Sequence, residues 1–212
     1  MRGYIFLFWY LVVGLPLLAQ TESPELWSGY TLKYKINQKY RLELEQQART
    51  TSGLQDLRSA FAELGLRYKI TDYLNLKPQL RYTLRNQDRN EVRMSLDCNV
   101  SHNFKDWRLK PKYRFRFQST QVSYTGQNIT ILRNQLELLY NLSKPADPYM
   151  EYENFYRLNS KNEVRTHRYT MGIDWRINKR TDLKTYVRRD QEVNVKNPER
   201  QNVVGVELSF DL

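Results

Sequence analysis

Twelve consecutive residues, Leu74–Arg85 (LNLKPQLRYTLR), alternate without a break. Leu74, Leu76, Pro78, Leu80, Tyr82 and Leu84 fall in one phase, and Asn75, Lys77, Gln79, Arg81, Thr83 and Arg85 in the other. Successive side chains of a strand point to opposite faces, so this period of two excludes a helix and defines a ribbon with one oily and one ionic face. The pattern recurs at Leu109–Phe117 (LKPKYRFRF), Pro148–Tyr152 (PYMEY) and Leu183–Arg188 (LKTYVR). A hairpin repeated at about 33–37 residues is compatible with a solenoid, but paired strands favour an antiparallel meander.

Taken in order, the alternation predicts strands at Leu26–Ile36, Tyr40–Arg49, Ala60–Ile70, Leu74–Arg85, Val92–Phe104, Trp107–Phe117, Ile131–Leu142, Pro148–Leu158, Val164–Ile177, Leu183–Asp190 and Asn202–Leu212. Tight turns are expected to alternate with longer polar loops. Most of these runs reach the roughly 9–11 residues that a tilted strand needs to cross a bilayer, against about 5–6 in soluble proteins. Pro78, Pro111 and Pro148 sit early in alternate strands. Because proline removes a ladder donor, they predict a repeated bulge near one rim. Eleven strands conflict with the even number expected of a bacterial barrel. Either Gln20–Trp27 adds a twelfth strand, or Leu26–Ile36 stays out of the wall, leaving ten.

The first nineteen residues (MRGYIFLFWYLVVGLPLLA) combine one charge at Arg2, an apolar run, a break at Gly14–Pro16 and a small residue at Ala19. That is the layout of a secretory signal peptide cleaved after Ala19, and the run is short for a membrane anchor. The remainder, 20–212, reads as one domain. A net charge of +11 and a mean hydropathy of −0.76 superficially suggest a soluble basic protein. Strands with one polar face produce such averages without any nucleic-acid partner, and here the cations are spread along the whole wall. Cys98 is the only cysteine, which excludes an internal disulfide and a zinc cluster. Its place in an apolar phase predicts a small side chain facing lipid or core.

Alternation does not say which face is inside. Secretion, the turn-and-loop asymmetry, and aromatics near the tight turns (Tyr40, Tyr73, Phe104, Trp107, Tyr140, Tyr149 and Trp175) favour a transmembrane β-barrel, whose interfaces carry aromatic girdles. The predicted fold is therefore an all-β, antiparallel, up-and-down transmembrane barrel of about 10–12 strands in the outer membrane. A secreted soluble barrel enclosing an apolar ligand is the opposite assignment of the same faces.

Two further patterns carry a resemblance. The turn approach YKIN at Tyr34–Asn37 returns as YKIT at Tyr68–Thr71, and LKP followed one residue on by a hydrophobic–arginine–hydrophobic run occurs from Leu76 (LKPQLRY) and from Leu109 (LKPKYRF). Together they resemble an uncharacterised family of small Gram-negative outer-membrane β-barrels, classed as a domain of unknown function. The closing VELSFDL, with Phe210 in place of a terminal aromatic, resembles the C-terminal strand signal read by the barrel-insertion machinery. The resemblance spans nearly all of the chain after the leader. It implies a barrel in contact with outer-membrane lipids, and it brings no catalytic residues.

On the polar phase, Lys77, Arg81, Arg108, Lys110, Lys112, Arg114, Arg116, Lys184 and Arg188 are the lumen-facing cations, with Glu137, Glu151 and Glu153 among them. A positive arc in a pore favours anionic solutes. Alternatively, Glu91, Asp97, Glu137, Glu151 and Glu153 pair with the cations and close a lumen already narrow for 10–12 strands. Glu151 and Glu153 stand roughly 7 Å apart by strand rise. That spacing suits a glycosidase pair, but among so many arginines it reads as salt-bridge partners. His102 and His167, the only histidines, fall in the apolar phase. His167 near an outer loop would suit a lipid-modifying enzyme only with a serine and an acid at a recognisable spacing, and neither stands there. There is no nucleotide loop or metal spacing. The sequence thus points first to a non-enzymatic structural or surface barrel, or a narrow anion-leaning pore, with no cofactor; the alternatives are an outer-membrane lipid-modifying enzyme using His167 and a secreted soluble barrel binding an apolar ligand.

Overall fold

The computed structural model describes residues 24–51, 56–86, 89–142, 145–159 and 161–212. The expected leader, 1–19, and residues 20–23 of the expected extra strand lie outside them. Eleven strands form one closed barrel: β1 (Glu25–Lys35), β2 (Tyr40–Thr50), β3 (Leu57–Lys69), β4 (Leu74–Arg85), β5 (Glu91–Ser101), β6 (Leu109–Val122), β7 (Asn128–Tyr140), β8 (Ala146–Arg157), β9 (Glu163–Arg176), β10 (Thr181–Glu192) and β11 (Arg200–Asp211). Each consecutive pair is antiparallel, and the barrel closes by a parallel pairing of β1 with β11, Glu25↔Val203 through Lys33↔Asp211. The parity conflict is thus resolved without adding or discarding a strand. Glu25–Trp27 open β1 itself, and the seam runs parallel because an odd count brings the two end strands together pointing the same way.

The connections define two rims. Among the described residues the lower rim carries 36–39, 70–73, 102–108, 141–142, 145 and 177–180; the upper carries 51, 56, 86, 89–90, 123–127, 158–159, 161–162 and 193–199. Their lengths overlap, so the expected contrast between tight turns and long loops is slight. The strands run further into the polar segments than hydrophobic alternation marks, because ladder hydrogen bonding continues through polar residues such as Gln118–Gln121 and Asn128.

The faces divide as the phases do. In β4, Leu80, Tyr82 and Leu84 are exposed outside while Gln79, Arg81 and Thr83 are buried inside. Around the wall the outer row includes Leu64, Met94, Phe117, Leu136, Met150, Met171 and Val206, all exposed, and Cys98 lies in it between Leu76 and Phe115. The buried set is dominated by polar groups such as Glu63, Asp97, Arg116, Arg133 and Glu153. This inverts a water-soluble protein. It argues against the alternative of a soluble barrel around an apolar ligand, because the interior that would hold the ligand is ionic. A closed barrel also leaves no open sheet edge, which hydrocarbon surroundings demand.

Three further expectations change. The prolines make no bulges: register is unbroken on both sides of Pro78, and the two register shifts lie at Arg49/Thr50 and Phe155/Tyr156. Instead, Pro78 interrupts pairing with β3, while pairing of β6 with β5 and of β8 with β7 stops just short of Pro111 and Pro148. Each proline therefore places its missing donor against the strand joined to it across the lower rim. Arg108 is not in the lumen. It lies in the 102–108 connection at φ 55°, exposed, with its guanidinium reaching the Leu142 carbonyl, and β6 begins one residue later. His102 occupies the same connection, packed on Phe104, rather than the wall.

Candidate functional site: an ion-paired lumen with an aromatic arc

Because inward residues alternate along every strand, the lumen holds layers of charge. Near the lower rim Glu43 binds Lys77 at 2.7 Å and Arg67 at 2.8 Å, and Glu137 binds Lys112 at 2.5 Å and Lys184 at 3.6 Å. Higher up, Arg81 pairs with Glu63 at 2.7 Å, and Arg116 grips Asp97 through both Nε (2.5 Å) and Nη2 (2.7 Å). Glu153, 0% exposed, is the hub: Arg114 and Arg133 donate to it at 2.8 Å, and Arg168 stands at 3.5 Å while also gripping Asp190. Glu91 pairs with Arg85 at 3.0 Å and Arg93 at 3.9 Å. Such bidentate, desolvated pairs hold their geometry because guanidinium and carboxylate are planar and matched. Breaking one leaves a buried charge uncompensated.

The structure therefore places Lys77, Arg81, Lys112, Arg114, Arg116, Glu137, Glu153 and Lys184 in the lumen as members of several separate ion-pair clusters. Lys110, Glu151 and Arg188 line the same cavity without an ion-pair partner among the described residues. For Glu151 this departs from the expected salt bridge. Its register neighbours, Glu137 and Thr170, offer no cation.

The interior also contains an arc that the sequence reading missed. Reading across the register from β7, the inward residues are Leu139, Tyr149, Gly172, Tyr186, Gly205 and Trp27. Aromatic and glycine alternate from strand to strand. A β-carbon on Gly205 would come within 2.0 Å of the Tyr186 ring, and one on Gly172 within 2.7 Å of Tyr149. Each glycine is thus a seat for its neighbour's ring, a known way of filling the gap glycine leaves in a sheet. Tyr149, expected in the external girdle, is buried inside. Its position two residues before Glu151 gives it the phase of the lumen. The same parity identifies Trp27, in phase with Lys33, and Tyr186, between Lys184 and Arg188. Cations cap this arc: Lys184 Nζ lies 4.1 Å from the Tyr149 ring centre and Arg188 Cζ 4.6 Å from that of Tyr186. Tyr186 also donates to Glu207 at 2.9 Å.

Despite the pairing, the lumen keeps a cavity of about 640 Å³, whose lining includes twelve Lys or Arg side chains and five Glu. Outside, Tyr40, Tyr73, Phe104, Trp107 and Tyr140 stay exposed near the lower rim. Trp175 is half-buried and donates to Thr185 at 3.0 Å. His167 faces outward with its Nδ1 2.8 Å from the Tyr152 hydroxyl, the rings stacked. Its hydrogen-bond partner is a phenol rather than a serine or a carboxylate. Among the described residues no cluster of His, Cys, Asp and Glu has the arrangement of a metal site.

Oily exterior, ionic interior and full closure define a porin-like β-barrel. The chain belongs to the family described as protein of unknown function, DUF2490, whose model matches residues 25–202. A search of curated proteins finds no match. Among solved structures the chain is similar to the NanC porin (TM-score 0.55, 11% identity, covering 89% of this chain and 99% of that one). It is also similar to the KdgM porin in complex with disordered oligogalacturonate (TM-score 0.49, 16% identity, 86% and 90% covered). A third similar structure is the anion-selective porin from Comamonas acidovorans (TM-score 0.41, 13% identity, 80% and 55% covered).

Proposed function

We propose that this protein is a non-enzymatic barrel of the outer membrane that passes small anionic solutes through a narrow lumen. The carrying observation is the excess of cations over carboxylates around the cavity, twelve against five at its lining and twelve against ten once Glu43, Glu63, Glu91, Asp97 and Asp190, which pair five of these cations from behind, are counted. In a low-dielectric wall such an excess raises the local concentration of anions and opposes cations. The likeness to the NanC porin supports the barrel architecture that the reading needs. The external row of exposed leucine, methionine and aromatic side chains fits a hydrocarbon surround. Delivery by cleavage after Ala19, and insertion directed by Val206–Leu212, complete the reading.

The experiment is a planar-bilayer recording under a potassium chloride gradient. Stepwise currents with a reversal potential on the chloride side support the proposal. A silent barrel, or one that prefers potassium, overturns it.

A further inference from the structure

The 640 Å³ cavity does not fill the lumen alone. A second cavity of about 140 Å³ lies toward the upper rim, bounded there by Glu25, Arg58 and Arg85. The two cavities share three residues, Trp27, Arg49 and Arg168, which therefore form the neck between them. Trp27 is 3% exposed and anchored by its indole N–H to Glu25 at 3.1 Å. Arg168 is fixed by Asp190 and Glu153.

Arg49 is held differently. Its Nε donates to Gln47 Oε1 at 2.8 Å, and its Cζ lies 3.8 Å from the centre of the Trp27 ring. Arg188, on the main-cavity side, repeats the arrangement: Nε donates to Thr170 Oγ1 at 3.1 Å, and Cζ stands 5.2 Å from Trp27. Neither has a carboxylate partner or a protein acceptor for its Nη groups among the described residues. Arg67, Arg81, Arg93, Arg114, Arg116 and Arg133, which line the same cavity, are all ion-paired.

We infer that the neck and the main-cavity wall beside it form a binding site for the carboxylate of small acidic solutes, with Arg49 and Arg188, both packed near the Trp27 ring, as its ligands. Each guanidinium is oriented through Nε and by an aromatic face, which leaves the planar Nη pair to donate to a carboxylate in the two-pronged geometry it matches. The arginines already cover the indole, so a ligand meets donors here rather than an open ring face. A neutral solute of the same shape gains nothing from them. The inference names a solute class for the pore reading and rests on it for the route, but binding can be measured on a barrel that conducts nothing.

Trp27 supplies the probe. In the full chain carrying W9F, W107F and W175F it is the sole tryptophan. The refolded barrel in detergent is titrated with trichloroacetate, a carboxylate that quenches indole, and with trichloroethanol, its neutral analogue. The expected result is saturable quenching by trichloroacetate and only linear quenching by trichloroethanol. R49Q and R188Q, each in that background, should weaken the apparent affinity about tenfold, as loss of a charge-assisted hydrogen-bonded contact does. R41Q removes the same charge near the opposite rim and should leave the affinity unchanged. Equal quenching by both compounds, or saturation that survives R49Q and R188Q, overturns the inference. Anion-selective currents together with quenching indifferent to both substitutions would remove the site and keep the pore. Saturable, arginine-dependent quenching in a silent barrel would do the reverse.

Discussion

Tyr186 lies flat across Gly205, its register partner on β11, so closely that a β-carbon there would stand 2.0 Å from the phenol Cζ. The ring is buried and its hydroxyl is spent on Glu207. It cannot swing aside without losing both.

Gly205→Ala should therefore destabilise the barrel by about 1–3 kcal/mol, the usual cost of overpacking. Urea unfolding in lipid vesicles measures it. The double variant Y186A/G205A should be less destabilised than the sum of the two single changes, because removing the ring removes the clash. Strict additivity would show that the ring does not sit on the glycine.

Glu153 compensates three guanidiniums at once. Glu153→Gln should cost about 3–5 kcal/mol, since Arg133 and Arg114 lose a buried counter-charge. The same variant should move the reversal potential further toward chloride. Asp72→Asn, which breaks the exposed pair with Lys69 in the lower rim, should leave the unfolding midpoint in place. An equal response from the two would argue against the hub.

The parallel seam can be trapped chemically. Ser28 and Val206 are outward-facing register partners. In a Cys98→Ser background, S28C/V206C should form a disulfide on mild oxidation and alter mobility in a denaturing gel. S28C/L208C, offset by two residues, should link poorly. An antiparallel closure through any additional strand would separate both pairs.

Leu80 sits mid-strand on the outer face, half exposed, between Leu64 and Met94. Leu80→Arg should cost about 2–4 kcal/mol in vesicles if that face meets the bilayer midplane. Trp107→Arg, in the rim connection, should cost about 1 kcal/mol or less. Comparable penalties, or none at either position, would deny the hydrocarbon belt.

Much of this architecture was legible because side-chain parity is a local property. Leu80 out and Arg81 in follow from twelve residues read alone. Closure is not local. Nothing in Glu25–Lys35 or Arg200–Asp211 announces that they pair, so the parity conflict invited a twelfth strand or a discarded first one. Tyr149 was assigned by composition, as an aromatic near a turn, when its phase with Glu151 placed it inside. Arg108 shares the phase of Lys110, but its own positive φ keeps it out of the strand, which begins only at Leu109. The aromatic–glycine arc lay beyond reach for a different reason. Each of its members is an ordinary strand residue, and only cross-strand register sets Tyr186 between Gly172 and Gly205.

An odd number of passes has a last consequence. β1 starts at the upper rim and β11 finishes at the lower, so the barrel delivers its first and last wall residues to opposite compartments. Epitopes placed just ahead of Glu25 and just behind Leu212 would answer to antibodies from opposite sides of the same membrane, a polarity that an even-stranded barrel cannot show.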